Sequence, residues 1–156
     1  MDLLLWRHAE AEDPAAGQSD HERRLTAKGE KQALAMAKWL RTHGPKEPRI
    51  LVSPAVRTQQ TARALGLAYE TVPSTAPGAS VAAILAAAGW GKTKNARQAV
   101  ILVGHQPVLG QVAAQLVSGR SGDWAVKKGA LWWLQHRARD GHDEFVIRCV
   151  LAPEAL

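Results

Sequence analysis

The side chains best able to do chemistry are two arginines and two histidines: the pair Arg7-His8, then Arg57, then His105. Each lies where an apolar stretch gives way to polar sequence. Leu3 to Trp6 runs directly into Arg7-His8, Ile50 to Val52 runs into Ser53-Pro54 with Arg57 one turn beyond, and Ala99 to Val103 runs into Gly104-His105. Guanidinium groups fork onto phosphate oxygens, and an imidazole near neutral pH can act as base or nucleophile. In open α/β sheets, ligands bind beyond the carboxyl ends of strands, where helix N-termini add free N–H groups. If these three stretches are neighbouring strands, the four side chains converge, and what they form is a phosphate site.

The elements that must position them follow from patterning. Leu3 to Trp6 reads as a short buried strand, and Ala9 to His21, with Pro14 and Gly17, as a polar loop. Thr26 to about His43 reads as a helix with Thr26 as its N-cap, Ala33, Met36, Ala37 and Leu40 on one face, and Gly44-Pro45 as its stop. Ile50 to Val52 is a second strand. Ser53 and Pro54 are expected as cap and first-turn proline of a helix reaching Leu65, with Gly66 beyond. Leu67 to Val72 is expected as a third strand and Val81 to Ala88 as an Ala-rich helix. Ala99 to Val103 is apolar throughout, as a strand covered on both faces must be. Gly104-His105-Gln106-Pro107 turns it into a helix over Val108 to Val117. Ala130 to Gln135 and Glu144 to Leu151 close the chain as strands joined around Asp140-Gly141. Strands alternating with helices indicate an α/β fold, a mainly parallel sheet with helices on both faces. With no repeat, low-complexity tract or linker, residues 1–156 are expected to form one domain.

Composition narrows the rest. The chain has 156 residues, 46% of them apolar and 22% charged, which is a globular mixture. No apolar run has the length of a membrane-spanning helix, and MDLLLWRHAE lacks the basic leader and small-residue cleavage site of a signal peptide. A single cysteine, Cys149, excludes an internal disulfide framework, so a cytoplasmic location is expected. The net charge of +6 suggests an anionic partner of some kind. Nucleic acid is disfavoured, because the basic residues are scattered and the few aromatics are not interleaved with them.

Other signals fail on inspection. Gly91-Lys92-Thr93 resembles the end of a P-loop, but Ala86 stands where its first glycine belongs and a helix precedes it, so it reads as a surface turn. Ser53 lacks the flanking glycines of a nucleophile elbow. No His, Asp, Glu or Cys cluster has metal spacing, and no metal or other cofactor is expected. Cys149 reads as a buried inert thiol in an apolar strand, and Trp132-Trp133 must face opposite sides of theirs.

Three motifs in order carry a family resemblance over nearly the whole chain. LLLWRHAEA resembles the Arg-His-Gly signature of the histidine phosphatase superfamily, with its phosphoglycerate-mutase-like fold. LVSPAVRTQQTA resembles the second motif, Ser-Pro-x-x-Arg-x-x-Gln-Thr-Ala, and VGHQP resembles the later Gly-His motif. The small size, Arg-Arg-Leu-Thr-x-x-Gly at 23–29 and PGAS at 77–80 are similar to the SixA-type phosphohistidine phosphatase branch. The resemblance implies a three-layer α/β/α sandwich and a hydrolase acting through a covalent phosphohistidine on His8. It implies Arg7, Arg57 and a protonated His105 as phosphate ligands, and Arg23 as a secondary phosphate contact through the branch alone. The implied partner is a phosphohistidine-bearing protein, a phosphotransfer or phosphocarrier domain, and phosphate or sulfate would occupy the site.

Two departures from the pattern bear on chemistry. The usual glycine after the nucleophile is Ala9. Larger members carry a carboxylate after the second motif to protonate an alkoxide, whereas TVPSTAPGAS has only Glu70 upstream, in an expected strand. Imidazole is a far better leaving group than alkoxide, so a site without that acid suits phosphohistidine. Glu10, Glu12, Asp13 and Asp20 of the first loop remain candidates for an acid. The alternatives are a phosphatase of small phosphorylated metabolites and a phosphate-binding module without turnover.

Overall fold

The computed structural model describes residues 1–91, 98–139 and 142–156. Lys92-Thr93 and the Asp140-Gly141 connection lie outside them. Six strands, β1 (Asp2–Arg7), β2 (Arg49–Val52), β3 (Glu70–Thr71), β4 (Ala99–Gly104), β5 (Leu131–Arg139) and β6 (His142–Leu151), form one sheet in the order β3-β2-β4-β1-β5-β6. β3, β2, β4 and β1 are parallel neighbours, and β5 and β6 add an antiparallel hairpin at the β1 edge. Four helices link the strands: α1 (Ala27–His43), α2 (Val56–Arg63), α3 (Val81–Ala88) and α4 (Val108–Ser118). The expected mainly parallel α/β/α sandwich is the one observed.

Alternation along β1 shows why the layers form. Leu3 and Leu5 enter an apolar cluster with Ile84 of α3 and Leu109 and Val112 of α4. Leu4 and Trp6 point the other way, against Met36, Ala37 and Leu40 of α1 and Ala62 of α2. All four β1 side chains are fully buried. Removing one such side chain from water contributes about 1.5–3 kcal/mol, so a strand apolar on both faces is stable only between two helical layers. Trp132 and Trp133 divide between the same two clusters, as alternation requires.

Several element boundaries differ from expectation. β3 is two residues long, because only Leu51↔Glu70 and Val52↔Thr71 pair, and Leu67 is exposed. α2 begins at Val56 after Ala55, so Ser53-Pro54 neither caps nor opens it. β5 and β6 extend past the apolar runs to Arg139 and His142, because backbone pairing continues beyond the edge of the core.

The 9–26 segment is lashed to the body of the protein. Ala11 bridges Leu25 in antiparallel fashion, and Thr26 N–H donates to the Glu10 carbonyl. Thr26 also caps α1, its Oγ1 accepting from Gly29 N–H at 3.0 Å. Gly29 is needed for space, since a Cβ there would overlap the Glu10 carbonyl oxygen. Gly29→Ala is therefore expected to cost about 1–3 kcal/mol through overpacking. Thermal denaturation checks this, and an unchanged melting temperature would contradict the packing argument.

Candidate active site

β1, β4 and β2 are adjacent and end level with one another: Arg7 pairs with Gly104, and Val52 with Val103. That register brings Arg7, His8, Arg57 and His105 together at the carboxyl edge of the sheet. The His8 and His105 ring centroids are 5.4 Å apart, and Arg57 Nη2 lies 3.4 Å from His105 Nδ1. His8, Arg57 and His105 are buried, and Arg7 is half-buried.

Each side chain has an identifiable anchor. Arg7 Nη1 donates to the Val126 carbonyl at 2.7 Å, in the loop that joins α4 to β5. Gly129 N–H of that loop donates to the His8 carbonyl. His8 Nδ1 lies 2.7 Å from the Ala9 carbonyl. A carbonyl only accepts, so Nδ1 carries the proton and Nε2 keeps its lone pair. The Ala9 methyl, where the family pattern has glycine, packs in a small cluster with Ala11, Leu25 and Ala33. Thr61 Oγ1 accepts from Ala9 N–H and donates to the Arg57 carbonyl, tying β1 to α2.

His105 is held between Arg57 and Ser53. Its Nδ1 faces Arg57, which can only donate, so its proton sits on Nε2 and is donated to Ser53 Oγ at 2.7 Å. Burial, the other ring and Arg57 lower its pKa from 6.5 to about 3, and the ring is neutral. Burial also lowers His8 from 6.5 to about 4, with the charges of Arg57, Arg7 and Arg23 adding to the effect. Burial and then the Arg57 charge lower the Arg7 pKa as well. Arg7 Nε and Arg57 Nε are buried without a hydrogen-bond partner among the described residues. Two buried cationic groups in one cleft favour an anion over a neutral ligand.

Among the described residues, Asp20 is the carboxylate in contact with this quartet. Its carbonyl accepts from Arg57 Nη1, its Oδ2 accepts from Arg57 Nη2 at 2.8 Å, and its Oδ1 accepts from Arg23 Nη1 at 3.0 Å. Arg23 thus reaches the site through Asp20, with its Nε on the Glu12 carbonyl. The structure gives Arg23 no direct bond to the quartet. Burial pushes the Asp20 pKa up, but hydrogen bonds from Arg23 and Arg57 and their charges outweigh it and hold it below the ordinary carboxylate value. Of the other first-loop acids, Glu10 is taken by Thr26 and Lys28, and Glu12 and Asp13 are exposed. Glu70 pairs with Arg49 on the sheet edge. Cys149 is half-buried, and burial raises its thiol pKa. No group of three potential metal ligands occurs among the described residues.

Residues 3–78 match the model of the histidine phosphatase superfamily, branch 1. The phosphohistidine phosphatase SixA of Escherichia coli is 30% identical over 127 residues, covering 78% of this chain and 77% of that protein. The chain belongs to the histidine phosphatase superfamily. An uncharacterized protein of Picosynechococcus is 36% identical over 128 residues, 78% of this chain and 76% of its own. The structure of the protein histidine phosphatase SixA complexed with tungstate superposes with a TM-score of 0.81 at 26% identity, covering 99% of both chains. These relationships place the chain among SixA-type phosphatases, which are hydrolases.

The lowered histidine pKa values carry a stability consequence. Unfolded, both rings titrate near 6.5, whereas folded they stay neutral to about 4 for His8 and about 3 for His105. Between 6.5 and those values the unfolded chain binds more protons, so stability is full above pH 6.5 and falls as pH drops toward 4. Denaturant melts across this window are expected to slope less for His8→Gln and His105→Gln than for the wild type. Equal slopes would mean that the rings are not held neutral.

Proposed function

We propose that the protein removes phosphate from phosphohistidine on a partner protein, in two in-line displacements. His8 Nε2 attacks phosphorus, the P–N bond to the substrate ring breaks, and that bonding pair stays on the departing nitrogen. A substrate ring protonated at its other nitrogen leaves as neutral imidazole and needs no further proton. Water then attacks phosphorus on His8, releasing phosphate and regenerating Nε2. Arg7 and Arg57, through their unpaired Nε–H groups, and His105 hold the equatorial oxygens, where charge must be neutralised. The dianion opposes the arginine charges and so raises the proton affinity of His105, which lets that ring become a donor to phosphate.

The state of Asp20 is the observation that carries the choice of substrate. It is the carboxylate at the quartet among the described residues, and two arginines keep it ionised. An ionised carboxylate cannot protonate an alkoxide at neutral pH, so the site is poor at cleaving sugar or alkyl phosphates and adequate for a P–N bond. The net charge of +6 fits an acidic partner face, such as that of a phosphotransfer or phosphocarrier domain. We take residues 1–156 as one catalytic domain acting in the cytoplasm.

The test is a quenched reaction with a radiolabelled phosphohistidine protein, run beside a sugar phosphate. Wild type is expected to release phosphate from phosphohistidine far faster. His8→Ala is expected to acquire no label and release none, and Arg57→Ala to lose about 10²–10³ in rate, as for loss of one oxyanion donor. Faster turnover of the sugar phosphate would overturn the substrate assignment. Phosphate binding without turnover of either compound would leave a binding module.

A further inference from the structure

A guanidinium has two bidentate edges, one formed by its terminal Nη1 and Nη2 and the other by Nε and Nη2. In Arg57 the terminal edge is filled, because Asp20 takes Nη1 with its carbonyl and Nη2 with Oδ2. The other edge is open. Nε–H is buried with no hydrogen-bond partner among the described residues, and the contact of Nη2 with His105 Nδ1 is long at 3.4 Å. We propose that Asp20 is a positioning residue, clamping Arg57 by its terminal edge so that the Nε–Nη2 edge faces the phosphoryl oxygens beside His105.

The local fold is built for this. Asp20 opens a one-turn 3-10 helix, Asp20–Glu22, closed by a capping box in which Ser19 Oγ accepts from His21 N–H and Glu22 Oε2 accepts from Ser19 N–H. That turn fixes the Asp20 carbonyl and carboxylate relative to each other, as two-point capture of Arg57 requires. Arg23 braces the remaining carboxylate oxygen and is itself tied to the Glu12 carbonyl. The side chain of Asp20 is half-exposed while that of Arg57 is buried, so the clamp reaches inward from the rim of the site. Arg23 thereby acts on the phosphate site through Asp20, which explains its presence without a direct ligand role.

The inference rests on reading the quartet as a phosphoryl site, and the experiment separates the two. Wild type, Asp20→Ala, Asp20→Asn, Arg57→Ala and the double variant Asp20→Ala/Arg57→Ala are compared by kcat and KM on the phosphohistidine protein and by inhibition with orthovanadate. Asp20→Ala is expected to lower kcat by about 10²-fold with little change in KM, the scale of a misplaced catalytic group. Asp20→Asn, which keeps the carbonyl acceptors, should recover most of that loss. The double variant should be no slower than Arg57→Ala, since a clamp has no effect without the group it holds. If Asp20→Ala melts below the assay temperature, Asp20→Ser takes its place with the same expectations. Undiminished kcat with tighter orthovanadate binding would show Asp20 to be an internal competitor for Arg57, and additive losses would assign it a separate role. Either result overturns the clamp. A wild type that neither turns over phosphohistidine nor binds orthovanadate would instead overturn the reading of the site itself.

Discussion

Arg7 and Arg57 bring like charges into one cleft beside two imidazoles, and the protein must hold them there against burial and mutual repulsion. Coulomb energy between unit charges a few ångströms apart is about 4 kcal/mol near a protein surface, so protonating either ring as well would be costly. The arrangement settles this by keeping both histidines neutral and bringing in one carboxylate, Asp20, from a separate loop. A neutral His8 with its proton fixed on Nδ1 presents a lone pair at Nε2, so the electrostatic solution and the nucleophile are the same feature. The unpaired Nε–H groups supply the remaining positive potential to whatever anion enters.

The scaffold serves that cluster. The paired register of β1 and β4 sets Arg7 and His8 beside the turn that carries His105, and β2 brings in Ser53 and, through α2, Arg57. Backbone carbonyls do much of the aiming: Ala9 for His8, Val126 for Arg7 and Asp20 for Arg57. Main-chain acceptors cannot change charge, so the orientation they impose is independent of pH. Gly29 and the Thr26 cap then hold the loop that carries Asp20 to the body of the protein.

The strands that build the site were legible because their burial is two-sided. DLLLWR and AVILVG admit few other structures, and the polar residues that end them had to lie at the sheet edge. Thr26 as a cap and the Ala33–Leu40 face of α1 were equally plain, since capping and helical periodicity are local. Partners far apart in sequence were not. Ser53 reads as a helix cap from sequence because nothing local shows that its hydroxyl faces His105, 52 positions away. Asp20 was one of four acids in a polar loop, and only the turn at 20–22 singles it out. Arg23 carried a motif signal that identified the neighbourhood and missed the intermediary. The polar ends of β5 and β6 are paired through the backbone ladder, which hydropathy does not register.

Catalysis in this site depends on His8 being a neutral imidazole with Nε2 free for attack. Heteronuclear NMR of the histidine ring nitrogens through a pH titration tests it directly. His8 is expected to show a protonated Nδ1 and an unprotonated Nε2 at neutral pH, and to titrate near 4. A proton on Nε2, or titration near the ordinary 6.5, would contradict it.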